Sequence, residues 1–118
     1  LADIEFGRRI ATAVAGQDIG QSVAVKDQAV VAVEALEGTD RMILRAGQLG
    51  GKGTVIVKVA KPRQDFRFDV PVIGLKTVAS MKKAKAGTLA IEAGRTLILR
   101  RHETIAAANK AGLVILSV

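Results

Sequence analysis

Apolar residues fall along this chain in two alternating rhythms. From Asp3 to Ala15, the positions Ile4, Gly7, Ile10, Ala11 and Val14 recur at three-to-four spacing. That predicts a helix, with Asp3 placed to cap it and Gly16 to end it. The rhythm then shortens. "QSVAVKD" and "AVVAVEAL" are valine-rich runs on either side of a tight turn near Asp27–Gln28, and they predict a β-hairpin. Thr39 reads as the N-cap of a second helix over roughly Asp40–Leu49, closed by the turn glycines of "GQLGGKG". "TVIVKVA" (54–60) predicts a strand that is apolar on both faces, interrupted by Lys58.

The same alternation continues to the end. "VPVIGLKT" leads into a helix over about 77–86, closed by Gly87. "LAIEAG" and "TLILR" read as short strands, "HETIAAANKAG" as a helix ending at Gly112, and "LVILSV" as a final buried strand. Strand and helix signals in this order predict an α/β fold: a single mixed β-sheet of about five to six strands, with an early hairpin, flanked by helices. Its expected members are Val23, Val25, Val31, Val33, Val55, Val57, Ile91, Leu97 and Val114. No internal repeat or low-complexity linker breaks the chain, so residues 1–118 are expected to form one domain.

Composition narrows the chemistry. The 118 residues include no cysteine and one histidine, His102. Disulfide frameworks, thiolate metal sites and multi-histidine zinc sites are thereby excluded. A metal site built within the chain would use carboxylates, backbone oxygens and water, which favours magnesium, calcium or manganese. His102 stands at a predicted helix start with no nucleophile beside it in sequence, the setting of a cap or surface residue. No apolar run is long enough to cross a bilayer, and "LADIEFGRRI" does not read as a signal peptide. The first residue is Leu rather than Met, as expected for a fragment of a longer chain.

The net charge of +7 lies wholly in the second half. Residues 1–59 carry seven acids and seven bases, whereas residues 60–118 carry four acids and eleven bases. Such asymmetry points to an anionic partner: nucleic acid, acidic lipid or a phosphorylated small molecule. Lys82, Lys83, Lys85 and Lys110 are accounted for as solvated helix faces. With three phenylalanines and no tyrosine or tryptophan, the chain has few rings on which bases could stack.

Three segments invite a chemical reading. "GQLGGKGT" resembles a phosphate-binding P-loop but fails it: Ala46 stands where a glycine is needed, and Gly53 where a hydroxyl is needed. It also leaves a helix and enters a strand, so a helix end and turn is the better account. "EALEGTD" places Glu34, Glu37 and Asp40 at a strand-to-helix junction. Thr39 and Asp40 are ordinary helix-start residues, or alternatively Glu37 and Asp40 hold a hydrated magnesium ion, or the helix N-terminus receives a phosphate. "KPRQDFRFDVP" (61–71) follows a buried strand, where ligands gather in open sheets. It interleaves Lys61, Arg63 and Arg67 with Asp65 and Asp69. A surface ion-pair network is the plain account. A site acting on a phosphate anhydride needs both parts, cations for the phosphates and a carboxylate for a metal or for water, and this stretch has both.

Five segments in order, "DIEFG" (3–7), "DIGQSVAVKD" (18–27), "AVEALEGTD" (32–40), "VKVAKPRQDFRFDVPVIG" (57–74) with "KT" following, and "LAIEAGRTLIL" (89–99), resemble the C-terminal domain of the LpxI-type UDP-2,3-diacylglucosamine pyrophosphatase family. The resemblance covers nearly the whole chain. It implies the second domain of a two-domain enzyme of lipid A synthesis in Gram-negative bacteria, whose N-terminal domain lies outside this chain. The implied reaction hydrolyses UDP-2,3-diacylglucosamine to UMP and 2,3-diacylglucosamine 1-phosphate (lipid X). A divalent cation, magnesium or another such as manganese, is implied. So is a cytoplasmic location peripheral to the inner membrane, with the lipid between the two domains.

Two positions depart from the family pattern: Arg63 where a smaller residue is expected, and Leu75 where proline is expected. The resemblance carries the family's key aspartate onto Asp69. Charge and position add Asp65 as a second catalytic candidate, Lys58, Lys61, Arg63 and Arg67 as phosphate-binding candidates, and Glu37 and Asp40 with Asp69 as metal-ligand candidates. A basic nucleic-acid-binding module and a non-catalytic fragment are the competing readings. The scarcity of aromatics favours a nucleotide-sugar lipid over nucleic acid as partner.

Overall fold

One strand runs against all of its companions. In the computed structural model, which describes residues 1–61 and 71–118, β1 (Ser22–Lys26) lies antiparallel to both β2 (Ala29–Val33) and β3 (Val55–Lys58). β5 (Thr88–Ile91) and β7 (Val114–Ser117) extend the sheet in parallel beyond β3, giving the order β2-β1-β3-β5-β7. β2, β3, β5 and β7 therefore all point the same way. A second, two-stranded parallel sheet pairs β4 (Val72–Ile73) with β6 (Leu97–Ile98). The expected mixed sheet with an early hairpin is present. Leu97, however, does not join it. Gly94 turns the chain away after β5 with a positive φ of 74°, and Leu97 pairs with Val72 instead.

Strand alternation divides the core in two. Val23, Val25, Val57, Val59 and Ala90 face α1 (Ala2–Gly16), which buries Ile4, Ala11 and Ala15 against them. Gly7 lets this helix lie close, since a Cβ there would stand 2.7 Å from Val57 Cγ2. Ala24, Ala32, Ile56, Leu89 and Ile91 face the other way, toward α2 (Thr39–Gly50), α3 (Leu75–Ala84) and α4 (Arg101–Ala111). Met42, Ile43, Val78, Met81 and Ala108 close that side. α2 and α3 meet backbone to backbone: a Cβ on Gly47 would come within 2.8 Å of the Ala84 carbonyl oxygen. Among the described residues, no helix is long and apolar enough to cross a membrane.

Two expected caps do other work. α1 begins after Leu1, and Asp3 accepts hydrogen bonds from the amides of Asp27 (3.1 Å) and Gln28 (2.7 Å). Both of those turn residues have positive φ, as a tight right-twisted hairpin requires. The carboxylate of Asp3 thus holds a strained turn rather than its own helix end. Gly38, not Thr39, is the N-cap of α2. The glycines of "GQLGGKG" end α2 and turn, with Gly51 and Gly53 at positive φ, as expected. Lys26 Nζ donates to the carbonyls of Gly50 (2.8 Å) and Lys52 (2.9 Å) there. α3 starts two residues earlier than expected, directly after Gly74, whose N–H donates to Thr77 Oγ1 at 3.2 Å.

Candidate active site at the carboxyl edge of the sheet

α2 follows β2 of the main sheet, whereas α3 and α4 follow β4 and β6 of the small one, and Asp40, Leu75 and Arg100 at the three helix starts border one cleft at the carboxyl edge of the main sheet. The N-termini of α2, α3 and α4 all lie there, and helix N-termini favour anions. Ligands of open α/β sheets gather at this edge.

A polar row closes the sheet at the same edge. Ser22 opens β1 and is paired with Lys58 at the end of β3. Glu34 follows β2, and its amide donates to the Ser22 carbonyl at 3.0 Å. Alternation puts Glu34, Ser22 and Lys58 on the face shared by Ala24, Ala32 and Ile56. All three are buried. Glu34 Oε1 accepts hydrogen bonds from Ser22 Oγ (2.7 Å) and from Thr39 Oγ1 (2.9 Å) in the first turn of α2. Lys58 Nζ donates to the Val72 carbonyl at 3.0 Å.

Beyond the row, two contacts hold the chain where it leaves β3. Glu92 Oε1 accepts the Ala60 amide hydrogen at 2.6 Å. Lys61, half-buried, forms an ion pair with Asp18 at 3.2 Å. Lys58 and Lys61 are thus both held at this edge by protein partners. The remaining sequence candidates in this stretch, Arg63, Asp65, Arg67 and Asp69, lie outside the described residues.

Glu37 and Asp40 sit at the expected junction but turn to different partners. Arg45 binds Glu37 through Nη2 and Nε and also donates from Nη2 to the Val33 carbonyl at 2.9 Å. The hydrogen bond from Arg45 holds the Glu37 carboxyl below its ordinary pKa; burial opposes this, and the charges of Arg45 and Arg41 add to the lowering. Asp40 accepts from Ser80 Oγ at 3.3 Å and lies 3.9 Å from Lys76 Nζ. It borders a cleft of about 350 Å³ lined by Gly74, Lys76, Thr77, Leu99 and Arg100. Larger clefts lie over α1 and between the far ends of α2 and α3, away from the polar row. Among the described residues, no three carboxylates or histidines converge on a point that would hold a metal ion. His102 is exposed in the first turn of α4.

Sequence reasoning missed Ser22, Thr39 as a hydroxyl donor, and Glu92. Each is unremarkable in its own segment and gains meaning only from strand register. The available signal was positional: a serine opening one strand and a glutamate closing its hairpin partner must share an edge.

Comparison with known proteins bears on this edge. The chain is 38% identical, over 126 aligned residues and its full length, to "UDP-2,3-diacylglucosamine pyrophosphatase LpxI" of Caulobacter vibrioides, and spans 45% of that relative's length. Among solved structures, it superposes on Acinetobacter baumannii RibD with a TM-score of 0.56 at 10% identity, covering 98% of this chain and 35% of that one. It superposes likewise on a diaminohydroxyphosphoribosylaminopyrimidine deaminase/5-amino-6-(5-phosphoribosylamino)uracil reductase from Thermotoga maritima, with a TM-score of 0.58 at 13% identity, covering 98% of this chain and 36% of that one. Those two likenesses show a shared fold and nothing about activity. The family model of the LpxI C-terminal domain matches residues 1–116, and the chain belongs to that family.

Proposed function

We propose that this domain supplies the phosphate-handling part of an enzyme that hydrolyses the pyrophosphate bond of UDP-2,3-diacylglucosamine. Water adds to one phosphorus, the bridging P–O bond breaks, and UMP and 2,3-diacylglucosamine 1-phosphate leave. The observation that carries this reading is the 38% identity, over the full length of the chain, to a relative named as that pyrophosphatase. The carboxyl edge is chemically suited to it. Lys58 and Lys61 bring positive charge to the end of β3, and three helix N-termini add partial positive charge. Negative charge that builds on the phosphates during cleavage is stabilised by such fixed groups.

In this reading Asp69 is the essential carboxylate, with Asp65 beside it in sequence, and Arg63 and Arg67 add cations. A magnesium ion, if bound, would polarise the anhydride. Such an ion is usually held by one or two carboxylates and the substrate phosphates, which makes Asp69 the carboxylate to test. The reading also places the enzyme at the cytoplasmic face of the inner membrane, where its lipid substrate would reside, and gives nucleic acid no specific role. The test is to incubate the full two-domain protein containing this chain with UDP-2,3-diacylglucosamine and magnesium and to follow UMP. Stoichiometric UMP release is expected. A folded protein that releases none overturns the reading.

A further inference from the structure

Charge is divided unequally between the two faces of the sheet. α1, which covers one face, carries two acidic and two basic side chains. α2, α3 and α4, which cover the other, carry two acidic and seven basic ones. Both acids of that layer are matched within it: Asp40 lies 3.9 Å from Lys76, and Glu103 pairs with Arg100 at the start of α4. Among the described helices, the positive surplus therefore sits on one side of the molecule.

α3 is the middle helix of this layer, packed between α2 and α4. Its positions divide cleanly. Thr77, Val78, Ser80, Met81 and Ala84 are buried, whereas Leu75, Lys76, Ala79, Lys82 and Lys83 are exposed. The exposed positions fall at i, i+1, i+4, i+7 and i+8, a single stripe along the helix that contains no acid. The stripe starts at the cleft bordered by Leu75 and Lys76 and runs to Lys85, the C-cap. Lys85 has a positive φ of 58°, where glycine is the unstrained residue, and a further lysine stands there instead. Two clefts of about 560 and 510 Å³ flank this end. Lys52 and Lys85 line both, Lys83 joins them in one and Lys82 in the other, and neither has an acid in its lining.

We infer that the outer face of α2, α3 and α4 docks the enzyme on an anionic lipid bilayer, with α3 along the surface and Lys52, Lys82, Lys83 and Lys85 meeting headgroup phosphates. The inference rests on the function proposed above, whose substrate is a lipid, and adds the surface that meets the bilayer. The residues select a bilayer over nucleic acid. The cations of the stripe and its end are all lysines, point charges on flexible apolar stems, rather than the planar arginine forks that suit nucleic acid. Leu75 and Ala79 lie between them, and Leu49 is 65% exposed at the end of α2. Such aliphatic surface is taken up by the headgroup region and gains nothing from a phosphodiester backbone. None of the three phenylalanines lies in this layer, so it offers no ring for stacking. A second copy presenting the same face would be repelled by like charge. Because the stripe begins at the cleft, the candidate site would stand beside the bilayer.

The test uses the two-domain protein and flotation with vesicles of phosphatidylcholine, alone or mixed with phosphatidylglycerol. Wild-type protein should float with the anionic vesicles and not with the neutral ones, and binding should weaken as salt is raised. Equal binding to both, or to neither, overturns the inference. Each lysine near an anionic surface contributes about fivefold in affinity, so the triple variant Lys82→Gln, Lys83→Gln, Lys85→Gln should bind about a hundredfold more weakly. The control Arg8→Gln, Arg9→Gln removes charge from α1 and should bind within about twofold of wild type. All five positions are exposed, so both variants should melt with wild type. An equal loss in the two variants would mean that net charge alone acts, and overturns the assignment of the face. Tighter binding of duplex DNA than of anionic vesicles at physiological salt makes the face a nucleic-acid surface and also overturns it.

The triple variant should release UMP from detergent-dispersed substrate at the wild-type rate and show a raised KM only for substrate embedded in anionic vesicles. UMP release by wild-type protein without preference for anionic vesicles sinks the docking face and leaves the hydrolase reading. Preferential vesicle binding without UMP release does the reverse.

Discussion

Lys58 Nζ donates to the carbonyl of Val72 over 3.0 Å, so a side chain of the central strand bridges the chain on either side of the charged segment. Lys58 is buried, in the polar row with Ser22 and Glu34. Lys58→Met keeps the stem and removes the donor. Hydrogen bonds from charged groups contribute about 1.5–3 kcal/mol. We expect the denaturant midpoint of Lys58→Met to fall by an amount in that range, and turnover to fall with it. An unchanged midpoint would confine Lys58 to ligand binding.

Asp69→Asn should leave the fold intact and reduce turnover of the two-domain protein by orders of magnitude, because the amide lacks both charge and useful basicity. Lys61→Ala should raise KM as well as lower rate. Chelation of divalent cations with EDTA should abolish UMP release, and magnesium should restore it. Near-normal turnover of folded Asp69→Asn would move the search to Asp65, Glu37 or Asp40.

Glu37 makes a small, pH-dependent contribution. Arg45 lowers its pKa in the folded state, so the stabilisation is present at neutral pH and is lost as pH falls through that lowered value. Arg45 keeps 41% of its side chain exposed, and solvent screening limits the pair to less than about 1 kcal/mol. Glu37→Gln should therefore be slightly less stable than wild type at pH 7. The two proteins should converge in acid, below the ordinary carboxylate range. A difference that grows on acidification would contradict the assignment.

Two glycines offer a matched pair. A Cβ on Gly20 meets the Glu34 backbone at 2.0 Å, whereas a Cβ on Gly16 meets nothing within 4 Å. Gly20→Ala should destabilise by about 1–3 kcal/mol or more through overpacking. Gly16→Ala, at the end of α1, should be neutral or stabilise by up to about 1 kcal/mol. Thermal melting distinguishes the two directly.

Much of this architecture is legible in the sequence, and for a physical reason. The valine runs around Asp27–Gln28 and the spacing of Ile4, Gly7 and Ala11 encode local periodicity, which survives without tertiary information. What was misread depends on distant partners. Asp3 and Thr39 have the residue type of caps, yet the hairpin amides and the Glu34 carboxylate compete for them and win. Leu97 has strand character, but its partner, Val72, is 25 positions earlier, across the charged segment. The polar row at the carboxyl edge is the extreme case. Ser22, Glu34 and Lys58 become neighbours only through register, and register is set by pairing between strands.

The contact between Gly47 and Ala84 bears on motion. Two helices that touch backbone to backbone have no layer of side chains to slide on or to repack. α2 and α3 should therefore move as one rigid body, keeping Asp40 and Ser80 at constant separation. Any widening of the cleft beside them would have to come from a hinge elsewhere. Val72 and Ile73 of the two-stranded sheet also line that cleft, and this small element is where adaptation to a bulkier ligand would be absorbed.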